Sequence, residues 1–230
     1  MKIVMIHGQN HKGSTYNLAR MFVGNFKDPE ISEFFLPRDL GSFCSGCCSC
    51  IKDEALCPYY EAKQKIMHEV EAADLLVFST PTYCLRASSP MKAFLELTFT
   101  YWMSHKPRAV MFSKKAVVIS TAAGAGASSA VKDIKDALFY WGVPYIKTYG
   151  LAIRAASWDQ VPEERRAKLS ASLSKLAKQV GSARVRVGLK TRFYFFIMRM
   201  MQLKNMGAGE EERKYWESLG WLDKARPWKA

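Results

Sequence analysis

The chain has 230 residues, a formal net charge of +13, 49% hydrophobic and 13% aromatic residues. This length and composition suit one α/β domain with a full core and a short appendage, and they exclude a disordered chain. The first residues lack the basic start and the long apolar run of a secretory signal, which predicts a cytoplasmic protein.

Much of the positive charge is concentrated late in the chain. Residues 184–204 include no acidic residue and carry Arg184, Arg186, Lys190, Arg192, Arg199 and Lys204. Clustered positive charge favours nucleic acid, anionic lipid or acidic small molecules as partners. No zinc-finger spacing, RNA-binding aromatic signature or helix-turn-helix pattern accompanies the charge, so we expect no sequence-specific nucleic-acid binding.

The first predicted strand, residues 3–6, leads through a polar turn into a helix. The strand is short and continuously apolar, as is typical of a strand buried on both faces. Ser14 or Thr15 can cap the helix that follows. A helix that begins beside a bent loop directs free N–H groups and the positive end of its dipole at one point, which predicts an anion site.

The spacing of this first loop indicates the size of the anion. Gly8, four residues and Gly13 precede Ser14, close to the loop G-x-x-x-x-G-K-[ST] of nucleoside-triphosphate sites, but Ser14 stands where that loop has lysine. Hydroxyl groups, the amide of Asn10 and backbone N–H groups suit one monophosphate. An ordinary strand-to-helix turn remains the alternative for this loop.

Four further strands alternate with helices along the chain. The strands are predicted at residues 31–36, 74–80, 116–120 and 145–151, and the helices at residues 60–72, from 91 onward, at 131–141 and at 162–179. This alternation indicates βαβ units with a parallel sheet covered on both faces. We predict an α/β fold, a flavodoxin-like doubly wound five-stranded parallel sheet of order 2-1-3-4-5 over residues 1–183. A basic, aromatic, helical C-terminal extension follows at residues 184–230.

Three loops are expected to converge at the carboxyl ends of the strands, where doubly wound sheets bind ligands. They are residues 8–15, 80–88 and 121–128. The second loop supplies a proline, a hydroxyl and an aromatic ring, and the glycines of the third let a flat ring approach the backbone. Together they favour a flavin mononucleotide (FMN) site. No G-x-G-x-x-G fingerprint follows the first strand, which argues against a tightly held NAD.

Residues 1–180 resemble the NADPH-dependent FMN reductase family of flavodoxin-like oxidoreductases. The resemblance rests on the loop Gly8–Thr15, the turn Ser79–Tyr83 and the loop Ala123–Gly126. It implies an enzyme that passes electrons from NAD(P)H through bound FMN to a small acceptor such as a flavin, quinone, nitro or azo compound. The alternative, a flavodoxin-type electron carrier, is usually strongly acidic, unlike this chain.

The resemblance and the loop chemistry together give a set of FMN-binding residues. These are Asn10, Lys12, Gly13, Ser14, Thr15, Pro81, Thr82, Tyr83, Cys84, Gly124 and Gly126. The family often has an arginine in the first loop that this chain lacks, so Lys12 or His11 would have to supply that phosphate contact. Cys84 is interpreted mainly as a small apolar filler. No catalytic acid or base is assigned.

A cysteine-rich loop contains Cys44, Cys47, Cys50 and Cys57, with Cys48 as an extra thiol. The spacing is close to the iron–sulfur run C-x2-C-x2-C-x3-C-P, with a longer last gap. The loop also resembles that of iron–sulfur flavoproteins, which implies a [4Fe–4S] cluster held by these four cysteines beside FMN. Structural zinc and free thiols are the other interpretations. We expect free thiols, since both Cys48 and the segment 58–60 depart from the pattern.

The tail combines basic and aromatic residues. Residues 189–204 are too short to cross a bilayer, which takes about 20 apolar residues. Such a helix either lies in a membrane interface or packs on the body of the protein or on a second subunit. Trp216, Trp221 and Trp228 favour packing over membrane contact. We also expect a homodimer or higher homo-oligomer.

Overall fold

A computed structural model describes residues 1–229 of the chain. Its central sheet contains β1 (Lys2–His7), β2 (Glu30–Phe35), β3 (Leu75–Tyr83), β4 (Arg86–Ala87), β5 (Lys115–Ala122) and β6 (Tyr145–Ala152). Five strands run parallel in the order β2-β1-β3-β5-β6, while the two-residue β4 pairs antiparallel with the end of β3. Apart from β4, this is the predicted order 2-1-3-4-5, so the predicted flavodoxin-like fold is confirmed.

Helices cover both faces of the sheet. They are α1 (Ser14–Val23), α2 (Leu36–Asp39), α3 (Ser49–Lys52), α4 (Tyr60–Ala72), α5 (Ser89–Leu97), α6 (Ala127–Tyr140), α7 (Glu163–Ser182), α8 (Leu189–Leu203) and α9 (Glu210–Ser218). Short 3-10 turns lie at Glu54–Leu56, Phe99–Tyr101 and Ala109–Ser113. Alternate residues of each strand enter different cores: in β1, Val4 and Ile6 pack with α4, α5 and α6, whereas Ile3 and Met5 pack with α1 and α7.

The third strand is longer than the predicted residues 74–80, and the expected stop before Pro81 is wrong. The strand continues to Tyr83, because its last residues form a hairpin with β4, in which Thr82 lies opposite Ala87. Proline disrupts the interior of a helix but is compatible with extended backbone. Cys84 and Leu85 both have positive φ, 49° and 62°, which is the geometry of a type I′ hairpin turn. Cys84 is exposed at this turn, so its interpretation as an apolar filler is also wrong.

The tail packs on the body of the protein, as its tryptophans predicted. Phe195 of α8 and Trp216 of α9 are buried together with Phe112 from the segment before β5. The indole N–H of Trp216 also donates a 2.7 Å hydrogen bond to the carbonyl oxygen of His105. No helix within residues 1–229 is both long and apolar enough to cross a membrane.

A buried carboxylate adds a second attachment between the tail and the body. Glu212 of α9 is fully buried and its Oε1 lies 2.6 Å from Nδ1 of His105. Burial alone would raise the pKa of Glu212, but hydrogen bonds from His105, the Ala208 amide and Gln202 lower it below its ordinary value. The anionic carboxylate therefore stabilises the docked tail.

Candidate functional site

The carboxyl ends of the parallel strands surround a cavity of about 750 Å³. Four chain segments line it, each at or just after the end of one of the strands β1, β3, β5 and β6. The lining residues are His11, Lys12, Gly13, Ser14, Thr15, Asn17, Pro81, Thr82, Tyr83, Thr121, Ala122, Ala123, Ile153, Ala155, Ala156, Ser157, Trp158 and Asp159. This volume is within the range of small-ligand sites. The cavity lies where a doubly wound sheet is expected to bind its ligand.

The start of α1 supplies hydrogen-bond donors to this cavity. Gly13 precedes the helix, and no described side chain caps the first turn, so the expected capping by Ser14 or Thr15 is wrong. The Thr15 hydroxyl instead lies 2.5 Å from the Thr121 hydroxyl, at the end of β5. Backbone N–H groups of the first turn, with the positive end of the helix dipole behind them, thus remain available to an anion.

Hydroxyl groups also hold the neighbouring loops together. Thr80 and Ser88 are fully buried, and the Ser88 hydroxyl donates to the Gly8 carbonyl oxygen over 2.8 Å. The Thr80 hydroxyl accepts from the Ser88 amide at 3.0 Å. The Ser120 hydroxyl donates to the Thr80 carbonyl oxygen at 2.7 Å. These bonds fix the positions of three loops relative to one another, so the cavity walls are preorganised.

Seven of the eleven predicted FMN-binding residues line the cavity. They are Lys12, Gly13, Ser14, Thr15, Pro81, Thr82 and Tyr83. The structure does not place Asn10, Cys84, Gly124 or Gly126 among the lining residues. Gly126 has a φ of +92°, and a Cβ there would lie 2.8 Å from Cα of Leu85. Its lack of a side chain therefore lets the β3–β4 hairpin pack closely.

The sequence did not predict the fourth lining segment of the cavity, which follows β6. The segment after β6 brings Ile153, the stretch 155–159 and, within it, the half-buried Trp158 to the cavity. A single tryptophan in a polar segment after the last predicted strand was the available signal. The third loop was expected to contribute through its glycines, but it contributes Thr121, Ala122 and Ala123 instead.

A buried histidine lies beside the cavity at the end of β1. His7 Nδ1 is 2.6 Å from the Ser79 hydroxyl, and Nε2 is 2.9 Å from Oε1 of Glu33. Its ring stacks on Phe35 at a centroid distance of 4.7 Å. Burial lowers the pKa of His7 below 6.5, although Glu33 acts in the opposite direction. Neutral His7 therefore joins β1, β2 and β3 below the cavity.

The cysteine loop forms no metal-binding group among the described residues. Cys50 is buried, Cys44 and Cys57 are half-buried, and Cys47 is exposed. Among residues 1–229, no group of three or more His, Cys, Asp or Glu side chains could hold a metal ion. The structure therefore gives no support for a four-cysteine cluster, and the [4Fe–4S] group remains a prediction from spacing and resemblance.

The donor set of the cavity does fit FMN. Lys12, the Ser14 hydroxyl and the first turn of α1 suit a phosphate monoester, whereas Tyr83 and Trp158 offer aromatic surface for a flat ring. Ala122 and Ala123 add only small side chains to the lining of the cavity. Hydrogen-bond donors suited to a phosphate and aromatic side chains suited to a flat ring thus line one cavity.

Comparison with known families agrees with this chemistry. Residues 1–157 match the family model described as NADPH-dependent FMN reductase. This match spans β1 to β6 and includes nearly all of the cavity lining. No curated protein matches the chain in sequence.

Solved structures share the fold at low sequence identity. An azoreductase from Bacillus anthracis str. Sterne is 15% identical, with a TM-score of 0.60 over 80% of this chain and 100% of that one. An NAD(P)H:quinone oxidoreductase from Methanothermobacter marburgensis is 13% identical, with a TM-score of 0.62 over 80% and 98% of the two chains. An FMN-dependent NADH-azoreductase from Bacillus anthracis str. Ames Ancestor, in complex with FMN, is 12% identical, with a TM-score of 0.57 over 77% and 100%.

Proposed function

Because the chain belongs to the NADPH-dependent FMN reductase family, we propose that its strand-end cavity holds FMN and serves a small aromatic electron acceptor. The family makes it an NAD(P)H-dependent FMN oxidoreductase. When bound, the flavin accepts two electrons from a nicotinamide and passes them on. The acceptor class that we propose comprises flavins, quinones, nitro compounds and azo compounds, all of which are flat enough to stack on a flavin ring.

The phosphate end of the cavity is the start of α1. If Thr121 donates to Thr15 across their 2.5 Å contact, the Thr15 proton is free to point at an anion. Ser14 and Lys12 flank the same turn, and the Lys12 ammonium lies 5.6 Å from the centroid of the Tyr16 ring. Lys12 thus takes the place of the arginine that the family loop often carries.

The ring end of the cavity lies between the β3–β4 hairpin and the segment after β6. Tyr83 is 44% exposed at the rim, so its ring can stack on a ligand without moving a core residue. Trp158 provides a second aromatic surface among the lining residues. With a flavin bound, stacked rings would limit the access of water to it, while the chemistry of the reaction belongs to the cofactor.

The observation that carries this proposal is one cavity whose lining includes both the donor-rich start of α1 and the aromatic rings of Tyr83 and Trp158. Purified protein reconstituted with FMN should oxidise NAD(P)H steadily when a quinone or azo dye is added without any partner protein. Retained FMN without turnover would instead indicate a flavodoxin-type carrier. A colourless protein after reconstitution would contradict the proposal altogether.

A further inference from the structure

Helix α8 has two apolar faces, and only one of them is covered by the protein. Phe195 is 1% exposed and packs in the tail core. The opposite face presents Leu189, Phe193 and Phe196, whose exposed fractions are 83%, 63% and 52%. Spacings of four and three residues place these side chains on one stripe of the helix. Large apolar side chains concentrated on an exposed stripe indicate a contact surface.

The stripe continues through the second half of the helix. Met200 is half-buried and Leu203 is 37% exposed, and both fall on the same side by helical periodicity. Just beyond the helix, Met206 is 62% exposed. The apolar face therefore extends over the full 15 residues of α8.

The chemistry around this stripe points to an anionic partner. The basic residues of the segment are Arg184, Arg186, Lys190, Arg192, Arg199 and Lys204, and none of them forms an ion pair with any described residue. Arg199 donates to the carbonyl oxygens of Trp221 and Leu222 inside the protein, so the other five are the ones available to a partner. The acidic side chains of α9 do not neutralise them, since Glu210 and Glu211 pair with Lys214 of their own helix. The positive charge beside the stripe is thus uncompensated within residues 1–229.

We propose that α8 docks this protein on the surface of a bilayer that contains anionic phospholipid. The helix would lie in the plane of the membrane, with Phe193, Phe196 and Leu189 at the boundary between headgroups and acyl chains. The unpaired arginines and lysines would contact lipid phosphates. A 15-residue helix is about 22 Å long, which is too short to span the hydrocarbon core but sufficient for this shallow position.

A second copy of the chain fits this face poorly. A two-fold dimer would place the same surface of both subunits together. Each copy would then bring its unpaired basic residues to the interface, while residues 184–204 offer no carboxylate to meet them. A homo-oligomer formed through another surface remains compatible with membrane docking.

The test is co-sedimentation of the full-length protein with vesicles of phosphatidylcholine alone or mixed with phosphatidylglycerol. We expect binding to the mixed vesicles, weakened by added salt. The double variant Phe193→Ser/Phe196→Ser should bind at least about 10-fold more weakly. The matched control Phe43→Ser/Leu56→Ser removes side chains of similar exposure, 64% and 56%, and should bind like the unmodified protein.

A second variant tests the charge. Arg184→Gln/Lys190→Gln/Arg192→Gln should reduce binding to the mixed vesicles by about 10-fold or more, in line with the contribution of basic residues at an anionic surface. An equal charge change on α7, Lys168→Gln/Lys175→Gln/Lys178→Gln, should have much less effect, because these exposed lysines lie on another helix.

Three results would overturn the proposal. The first is equal binding by the α8 variants and their controls. The second is no binding by the unmodified protein at low salt. The third is a dimer on size-exclusion chromatography that Phe193→Ser/Phe196→Ser converts to monomer, without any lipid binding. That outcome would assign the face to a second copy.

Discussion

The hydroxyl groups of Thr15 and Thr121 lie 2.5 Å apart although 106 residues separate them in sequence. One belongs to the first turn of α1 and the other to the end of β5, so their hydrogen bond closes the cavity between two neighbouring segments. Both side chains are buried. This bond fixes the first turn of α1 beside the cavity, and the backbone N–H groups of that turn remain free to bind an anion.

Loss of the Thr15 hydroxyl should weaken FMN binding. Thr15→Val keeps the side-chain shape but removes a donor to the phosphate, and hydrogen bonds to charged groups contribute about 1.5–3 kcal/mol. The dissociation constant should therefore rise roughly 10- to 100-fold. Thr191→Val is the matched control, since Thr191 is also buried in the first turn of a helix, in α8. Quenching of flavin fluorescence measures both dissociation constants. Equal values for the two variants would contradict a hydrogen bond from Thr15 to the FMN phosphate.

Two phenylalanines of α8 should differ sharply in their contribution to stability. Phe195 is 1% exposed in the tail core, whereas Phe193 is 63% exposed. Phe195→Ala should lower the free energy of unfolding by about 3–5 kcal/mol, because it leaves a cavity. Phe193→Ala should change it by less than about 0.5 kcal/mol. Urea unfolding followed by tryptophan fluorescence gives both values. Similar costs at the two positions would mean that the tail does not pack as described.

Removing the whole tail should expose its docking surface. Truncation after Ser182 uncovers Met103 and Phe112, which are buried against α8 and α9. We expect a lower melting temperature and stronger binding of a hydrophobic dye. A truncated protein as stable as the full chain, with no gain in dye binding, would contradict this.

The stability of the apoprotein should depend on pH through His7. Burial holds the pKa of folded His7 below 6.5, so the unfolded chain binds the proton first as pH falls. The free energy of unfolding should then decrease from about pH 6.5 downward, with a slope of up to about 1.4 kcal/mol per pH unit. His7→Gln should remove this contribution, whereas His68→Gln, at an exposed site, should retain it. Urea unfolding between pH 5.5 and 7.5 measures the slopes. Equal slopes for both variants would contradict this contribution of His7 to the pH dependence of stability.

The cysteine loop should carry free thiols. Cys47 is exposed while Cys50 is buried, and the described residues assemble no metal-binding group. Anaerobic purification should thus yield bound FMN with iron and acid-labile sulfide near zero. About four iron atoms per chain would instead establish the cluster that the cysteine spacing suggests.

The sequence was sufficient for the sheet order, because apolar strands and amphipathic helices alternate and right-handed crossovers leave few topologies. It was also sufficient for two of the segments that line the cavity, because Ser14, Thr15 and Thr82 lie in loops that follow predicted strands. The hairpin at Cys84 was missed because its turn lacks the usual Asn-Gly signal and takes two positive φ values without glycine. Trp158 was missed because its segment shares no motif with the other loops. It reaches the cavity only because β6 runs parallel to β5 and ends at the same edge of the sheet.

The most direct test of FMN binding in the strand-end cavity compares substitutions at two alanines of one loop. Ala123 and Ala125 are both exposed and two residues apart, but only Ala123 lines the cavity. Ala123→Trp should fill the space beside Thr121 and raise the FMN dissociation constant at least about 100-fold, equivalent to about 2.7 kcal/mol. Ala125→Trp should leave the constant within about threefold of the unmodified protein. Equal affinities for all three proteins, or a larger loss for Ala125→Trp, would show that FMN does not bind in this cavity.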